Sequence, residues 1–260
     1  MKKRNPKKRS ITQSRQTTPI SSNEDFLRLN RVLANAGYCS RREADELIKN
    51  GLVTVNGKSV TELGTKVGPD DEVRYAGEKV RREQYRYILL NKPKDFITTM
   101  DDPQGRKTVM DLVKHACKER VFPVGRLDRS TTGLMLLTND GELSNRLAHP
   151  KNGIIKTYKV ELDKEFKAPL LEKLMEGLTL EDGTTKCDEA FFPDRTSNKV
   201  VIVSLHSGKN RIVRRLFEHL EYKVLRLDRL SFAGITKGDL NRGKWRFLTD
   251  KEIGFLKMIK

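Results

Sequence analysis

Apolar positions along this chain fall first into a helical rhythm and later into the short runs and alternations that suit strands. Leu29, Val32, Leu33 and Ala36 recur at i, i+3, i+4 and i+7, one face of a short helix that Gly37 stops. Ser40 stands where it would cap a second helix, with Ala44, Leu47 and Ile48 as its apolar face and Asn50-Gly51 at its end. Leu52 to Val55 then reads as a strand turning at Asn56-Gly57, a pair that tolerates the positive φ angles of a tight hairpin. Residues 64–86 are charged and rich in turn formers. The pattern divides the chain into a helix-helix-hairpin unit over 26–75, a linker over 76–84 and a larger domain over 85–260.

In the larger domain, Tyr87 to Leu90 reads as a core strand that Pro93 ends, since proline cannot continue a central ladder. Ser130, Thr131, Thr132 and Gly133 form a small-residue turn feeding the apolar run Leu134 to Leu137, which Asn139-Asp140-Gly141 closes with a turn. Thr157 to Leu162 alternates as a half-buried strand. Lys199 to His206 is another strand, turning at Ser207-Gly208 into a helix. That helix carries Ile212, Val213, Leu216, Phe217 and Leu220 on one side, with Arg211, Arg214 and Arg215 directed elsewhere.

Charge adds a partner to this outline. The 260 residues hold 52 Lys and Arg against 35 Asp and Glu, a net charge of +17. Seven of the positive charges precede the first acid, Glu24, and taking these from +17 leaves +10 on the rest, so the body itself is basic. A polyanion is the expected partner, most simply nucleic acid. Residues 1–25 are polar, basic and rich in Ser, Thr, Gln and Pro, which predicts a disordered arm adding non-specific phosphate affinity. That arm lacks the apolar half of a membrane anchor and the apolar stretch of a secretory signal. With no run of 18 apolar residues anywhere, a soluble, cytoplasmic protein is expected. Cys39, Cys117 and Cys187 are too scattered for a disulfide framework or a metal knuckle, and the four histidines form no ligand spacing, so no metal is expected.

Candidate chemistry centres on Asp128, a carboxylate at the mouth of a core strand, flanked by Arg126 and Arg129. Taken alone, an R-x-D-R pattern is most simply a surface ion pair. The longer string GRLDRSTTGLMLLTNDG resembles the second motif of the pseudouridine synthases, G-R-L-D-x-x-(T/S)-x-G-L-L-L-L-T-N-D-G, departing from it at Met135. Around Pro93, YILLNKPKD resembles the first motif of that family, with Asp95 where the family has Gly. Lys156-Thr157-Tyr158 matches its K-x-Y element. HSGKNRIVRRLF resembles the third motif, E-G-x-N-R-Q-V-R-R-(M/L)-F, departing from it at the Glu and, with Ile212, at the Gln. A phosphate-loop reading of Gly208-Lys209 is rejected, because no glycine stands five residues earlier and Asn210 replaces the Ser/Thr. Upstream, RLNRVLANAGYCSRREADELIKNGLVTVNGKSV resembles the S4 RNA-binding module.

The resemblance spans about residues 27–250 and implies an α+β fold, with an S4 module ahead of a large mixed or antiparallel sheet, flanking helices and a central cleft. It implies isomerisation of uridine to pseudouridine, with Asp128 as nucleophile or base. Arg214 is implied to face Asp128, Tyr158 to pack on the target base, and Arg126 to fill the gap left by a flipped base. A guanidinium neighbour would favour the ionised aspartate. Whether Asp128 attacks C1′ or the base, or drives elimination, stays open. Arg28, Arg31, Arg41, Arg42, Lys49 and Lys58 are expected to present a basic face to folded RNA, and Lys209, Arg211 and Arg215 to contact it nearer the cleft. No redox or phosphoryl step occurs, so no cofactor is expected, and a monomer is. Within the family, the branch acting on ribosomal RNA is implied, with large-subunit (23S) RNA as target. Small-subunit (16S) RNA, or a catalytically silent RNA-binding or ribosome-assembly role, is the alternative. An unrelated S4-bearing enzyme would need nucleotide-binding motifs that this sequence lacks.

Overall fold

The computed structural model describes residues 26–81, 84–194 and 197–259, so the arm expected over 1–25 lies outside the described residues. Two compact units are present among the described residues: a smaller one over 26–32 and 41–80, which holds most of the elements before residue 81, and a larger one over 33–40 and 81–259.

The smaller unit begins with β1 (Leu27–Arg28), α1 (Leu29–Asn35) and α2 (Arg41–Lys49). The helical rhythm holds: Leu29, Val32 and Leu33 are buried on α1, and Ala44 and Ile48 on α2. Gly37, at φ 77°, ends the first helix in the left-handed region that costs glycine little. Asn30 Nδ2 donates to Asp45 Oδ1 at 2.8 Å and ties the two helices together. Next come β2 (Val53–Val55), β3 (Lys58–Ser59), β4 (Lys66–Val67), β5 (Val73–Tyr75) and β6 (Glu78–Lys79). Strand β1 pairs with β4, and the other four form a sheet in the order β3-β2-β5-β6. The turn between β2 and β3 has positive φ at both Asn56 and Gly57, as the pair predicts. A second such turn, at Ala76-Gly77, joins β5 to β6, pairing Arg74 with Lys79 and Tyr75 with Glu78. The segment expected as a linker over 76–84 therefore starts as a hairpin strand of the small sheet.

The larger unit contains β7 (Tyr87–Lys92), α3 (Val109–Val113), β8 (Phe122–Pro123), β9 (Thr132–Thr138), α4 (Gly141–Ala148), β10 (Lys156–Leu162) and α5 (Pro169–Glu176). It continues with β11 (Leu178–Leu180), β12 (Gly183–Thr185), β13 (Glu189–Phe191), β14 (Val200–Leu205), α6 (Ile212–His219) and β15 (Val224–Phe232). The short strands β16 (Ile235–Thr236) and β17 (Trp245–Phe247) precede α7 (Asp250–Met258). One mixed sheet runs β13-β14-β10-β15-β9-β7-β17, with β8 on β9 and β16 on β15. Every neighbouring pair is antiparallel except β15 and β9.

Burial explains the two strand signatures. Strands β7 and β9 are covered on both faces: Leu89, Leu134 and Leu136 pack with residues of α4 and α7, while Ile88, Leu90, Met135 and Leu137 pack with Val109 and Val113 of α3. Such strands read as continuous apolar runs. On β10, Val160 and Leu162 enter the core with Phe217 and Leu174 while Lys159 is exposed, which gives the alternation. Asp140, expected in a turn, is the N-cap of α4, accepting from the Glu142 and Leu143 amides at 3.1 and 3.0 Å.

Candidate active site

Asp128 sits on a loop that is fastened from beneath before it enters β9. The Lys92 side chain has no exposed surface. Its Nζ donates to the carbonyls of Pro93 at 3.2 Å, Asp128 at 3.1 Å, Arg129 at 3.5 Å and Thr131 at 2.8 Å. Thr98 holds the preceding residue, its Oγ1 donating to the Leu127 carbonyl at 2.8 Å and accepting from the Leu127 amide at 3.2 Å. The Asp95 amide donates to the Arg129 carbonyl at 2.9 Å. Asp95 itself takes φ 70°, so it adopts the glycine-like conformation of the residue it replaces, as a short polar side chain can. Arg129 pairs with Asp95 at 3.5 Å rather than with Asp128. The carboxylate of Asp128 remains about one-third exposed.

The facing wall is the start of α6. Arg211, in the left-handed region at φ 49°, brings its Nη1 to 4.0 Å from Asp128 Oδ2 and its Nη2 to 3.9 Å from Glu218. Arg214 is not directed away from the apolar side as expected, but is buried on it. Nor does it form the implied pair with Asp128: Nη1 donates to the Val224 carbonyl at 3.0 Å and Nη2 to Ser130 Oγ at 3.3 Å. Burial, and then Arg211, hold its pKa below the ordinary arginine value, while Asp128 and Glu218 oppose this. Both arginines thus stand by Asp128, Arg211 at 4.0 Å and Arg214 through the loop and its charge, and the backbone accounts for the difference. The left-handed turn at Arg211 sends that side chain towards Asp128, and the first helical turn carries Arg214 inward beneath the Asp128 loop.

Between these walls lies a cavity of about 160 Å³, lined by Asp128, Tyr158, Arg126, Lys156, Arg211 and Arg229 among others. Tyr158 is half-buried and packs against the apolar clusters on both sides. Arg126 is exposed at the rim. Lys156 Nζ donates to the carbonyls of Ile154 and His206, both at 2.9 Å, joining the start of β10 to the end of β14. Burial, and then Arg229, push its pKa down to about 8, against the pull of Asp188. His206 pairs Nδ1 with Asp188 at 2.9 Å.

The expected RNA contacts divide into two kinds. Lys209 lines the cavity, yet its Nζ donates to the Asp182 carbonyl at 2.8 Å, and Arg215 Nη1 donates to Asp182 Oδ2 at 2.9 Å. The tip between β11 and β12 thus holds both cations, and Arg215 first, then Lys209, lower the Asp182 pKa to about 2. In the smaller unit, Lys49 pairs with Glu46 at 2.8 Å, and Arg42 and Lys58 are exposed. Arg28, Arg31 and Arg41 line a hollow of about 290 Å³, where burial and then the other two arginines depress the Arg41 pKa.

Lys92, Thr98, Ser130 and Arg229 received no role from sequence reasoning. At Lys92 the available signal is a charged residue that closely follows the apolar run Tyr87 to Leu90 and precedes the strand-ending Pro93. Among the described residues, no group of three His, Cys, Asp or Glu is placed to hold a metal, and no helix is long and apolar enough to cross a membrane.

Comparison with known proteins bears on this arrangement. Residues 86–219 match the RNA pseudouridylate synthase family, and residues 27–73 match the S4 domain. Ribosomal large subunit pseudouridine synthase B of Bacillus subtilis is 43% identical over 235 residues, covering 89% of this chain and 96% of the relative. The dual-specificity RNA pseudouridine synthase RluF of Escherichia coli is 37% identical over 241 residues, covering 88% and 78%. A crystal structure of a pseudouridylate synthase superposes with a TM-score of 0.64 at 30% identity, covering 88% of this chain and 99% of that one.

Proposed function

This chain belongs to the RNA pseudouridylate synthase family, and on that premise we propose that it isomerises one uridine of large-subunit (23S) ribosomal RNA, with Asp128 as the nucleophile or base. The observation that carries the assignment of Asp128 is the composition of the cavity. Among its described lining residues, Asp128 is the one carboxylate, set among Arg126, Lys156, Lys209, Arg211 and Arg229. A cationic surround draws in a phosphodiester and sets its backbone beside the one carboxylate. Arg211 is its ion-pair partner, and Arg214 holds the loop that carries it.

The target uridine leaves its stack to enter the cavity, where Tyr158 supplies an aromatic face for the base and Arg126 at the rim fills the vacated place. The choice of large-subunit RNA rests on the name of the Bacillus subtilis relative, which matches nearly end to end. Such an enzyme works in the cytoplasm, where ribosomal RNA is made and folded.

The test is carbodiimide primer-extension mapping across both ribosomal RNAs, in cells lacking the gene and in the same cells carrying wild type or Asp128→Asn. One stop in 23S RNA should vanish with the gene and return with wild type alone, while purified Asp128→Asn still binds RNA. A restored stop in the variant removes Asp128 from the chemistry, and a stop lost from 16S RNA moves the target to the small subunit.

A further inference from the structure

Arg229 reaches the cavity as a cation that the fold leaves incompletely satisfied. It is 2% exposed, and its backbone is fixed where β15 meets β9, paired with Gly133. Nε donates to the Leu134 carbonyl at 2.7 Å, and the guanidinium lies 4.8 Å from the centre of the Phe232 ring. Burial lowers its pKa, and Tyr158, its polar side-chain neighbour, opposes this by charge and by hydrogen bonding. Nη2 is buried with no hydrogen-bond partner, and no carboxylate of the described residues forms an ion pair with Arg229. Thr131 Oγ1, which lines the same cavity, is a second buried polar atom without a partner. A buried guanidinium with an idle N–H and no counter-charge is costly, and an apolar residue would pack there with less loss. The arrangement is accounted for when an anionic or carbonyl ligand completes it.

We propose that Arg229 is a catalytic residue whose free Nη2 donates to a carbonyl oxygen of the flipped uracil and stabilises the negative charge developing there. This rests on reading the chain as a uridine isomerase acting through Asp128. Each route open to Asp128 creates that charge. When the C1′–N1 bond breaks, its electron pair leaves with the base as an anion shared over N1, O2 and O4. After turning in the site, the base returns a pair from C5 to C1′, releases the C5 proton and takes one proton at N1, so that product and substrate are isomers. Attack by Asp128 on the ring instead places the charge on O4 as an enolate, until the same atoms are exchanged. A donor fixed in a water-poor site before charge develops is the arrangement that lowers such a barrier.

The experiment measures tritium release from full-length ribosomal RNAs transcribed with tritium at uridine C5, at saturating enzyme, together with RNA affinity and melting temperature. Arg229→Gln should lose about 100-fold or more in rate, the scale for removal of one preorganised donor, with RNA affinity within about threefold of wild type. Arg229→Lys, which keeps the charge, should lose less. Added guanidinium ion should restore at least about tenfold of the rate to Arg229→Ala and nothing to Asp128→Asn. A folded Arg229→Gln turning over within about threefold of wild type overturns the proposal. So does a rate that follows melting temperature across the three variants with no guanidinium rescue. Wild type releasing no tritium from either RNA would instead remove the reading on which the proposal rests.

Discussion

Lys92 carries an ammonium group with no exposed surface at the end of a core strand, and four backbone carbonyls collect around it. Three of those carbonyls belong to the Asp128 loop, so one side chain sets the path of the segment that carries Asp128. Burial pushes its pKa down from 10.5 to about 8; Asp128 and Asp95 oppose the shift, and Arg229 adds to it. Folded chain therefore binds fewer protons here than unfolded chain between those two values, and stability from this group rises with pH across that window. Denaturant midpoints should climb between about pH 8 and 10.5 in wild type relative to Lys92→Met, which lacks the titration. Lys156 has a similar pKa but is present in both proteins, so the difference isolates Lys92. The same variant should lose turnover far more than RNA affinity, because the released carbonyls belong to the Asp128 loop and not to the RNA-facing surface. Parallel midpoints across this range would mean that Lys92 titrates alike in folded and unfolded chain.

Between β9 and β15 the large sheet is joined by only two parallel residue pairs, Thr132 with Asp228 and Gly133 with Arg229. Gly133 has φ 108°, and a Cβ there would meet the Arg229 carbonyl oxygen and amide nitrogen. Thr132 Oγ1 reinforces the seam by donating to Asp228 Oδ1 at 2.6 Å, and Asp228 also holds Lys237 and Arg242. Gly133→Ala should therefore cost on the order of 4 kcal/mol in chemical denaturation and displace both Asp128 and Arg229. A loss below about 1 kcal/mol would mean that the seam relaxes freely. This junction also marks the limit of what the sequence conveys. Strands β7, β9, β10 and β14 and helices α1, α2 and α6 are readable because their burial is periodic or continuous. The β9–β15 pairing joins residues about 96 positions apart, and no local pattern encodes it. The hairpin of β5 and β6 hides in a charged stretch because β6 has two residues and both are exposed. Motif strings lead to Asp128, Tyr158 and Arg126, but which arginine meets the aspartate depends on the positive φ of Arg211, a value that the identity of the residue does not advertise.

Across the whole molecule, the positive charge is shared between two units that bury separate cores. Three apolar clusters of the larger unit draw their described residues from Tyr87 onward, so a chain of residues 81–260 keeps all three whole. The smaller unit holds the arginine hollow of Arg28, Arg31 and Arg41, where burial and then mutual repulsion lower the Arg41 pKa, and an incoming phosphate would relieve the repulsion. Binding of that kind releases counterions, and the logarithm of affinity then falls with the logarithm of salt by about 0.7 to 0.9 for each phosphate neutralised. Removing residues 1–80 should weaken ribosomal RNA binding and flatten the salt dependence by the number of phosphates that the small unit and the basic arm engage. Turnover at saturating RNA should survive, because Asp128, Tyr158, Arg211 and Arg229 all lie beyond the cut. Filter binding of full-length and shortened protein from low to moderate salt measures the two slopes. Equal slopes would confine phosphate contact to the cations around the cavity. A flatter slope with lost turnover would mean that the small unit also presents the uridine to Asp128, and is not only a handle on the RNA.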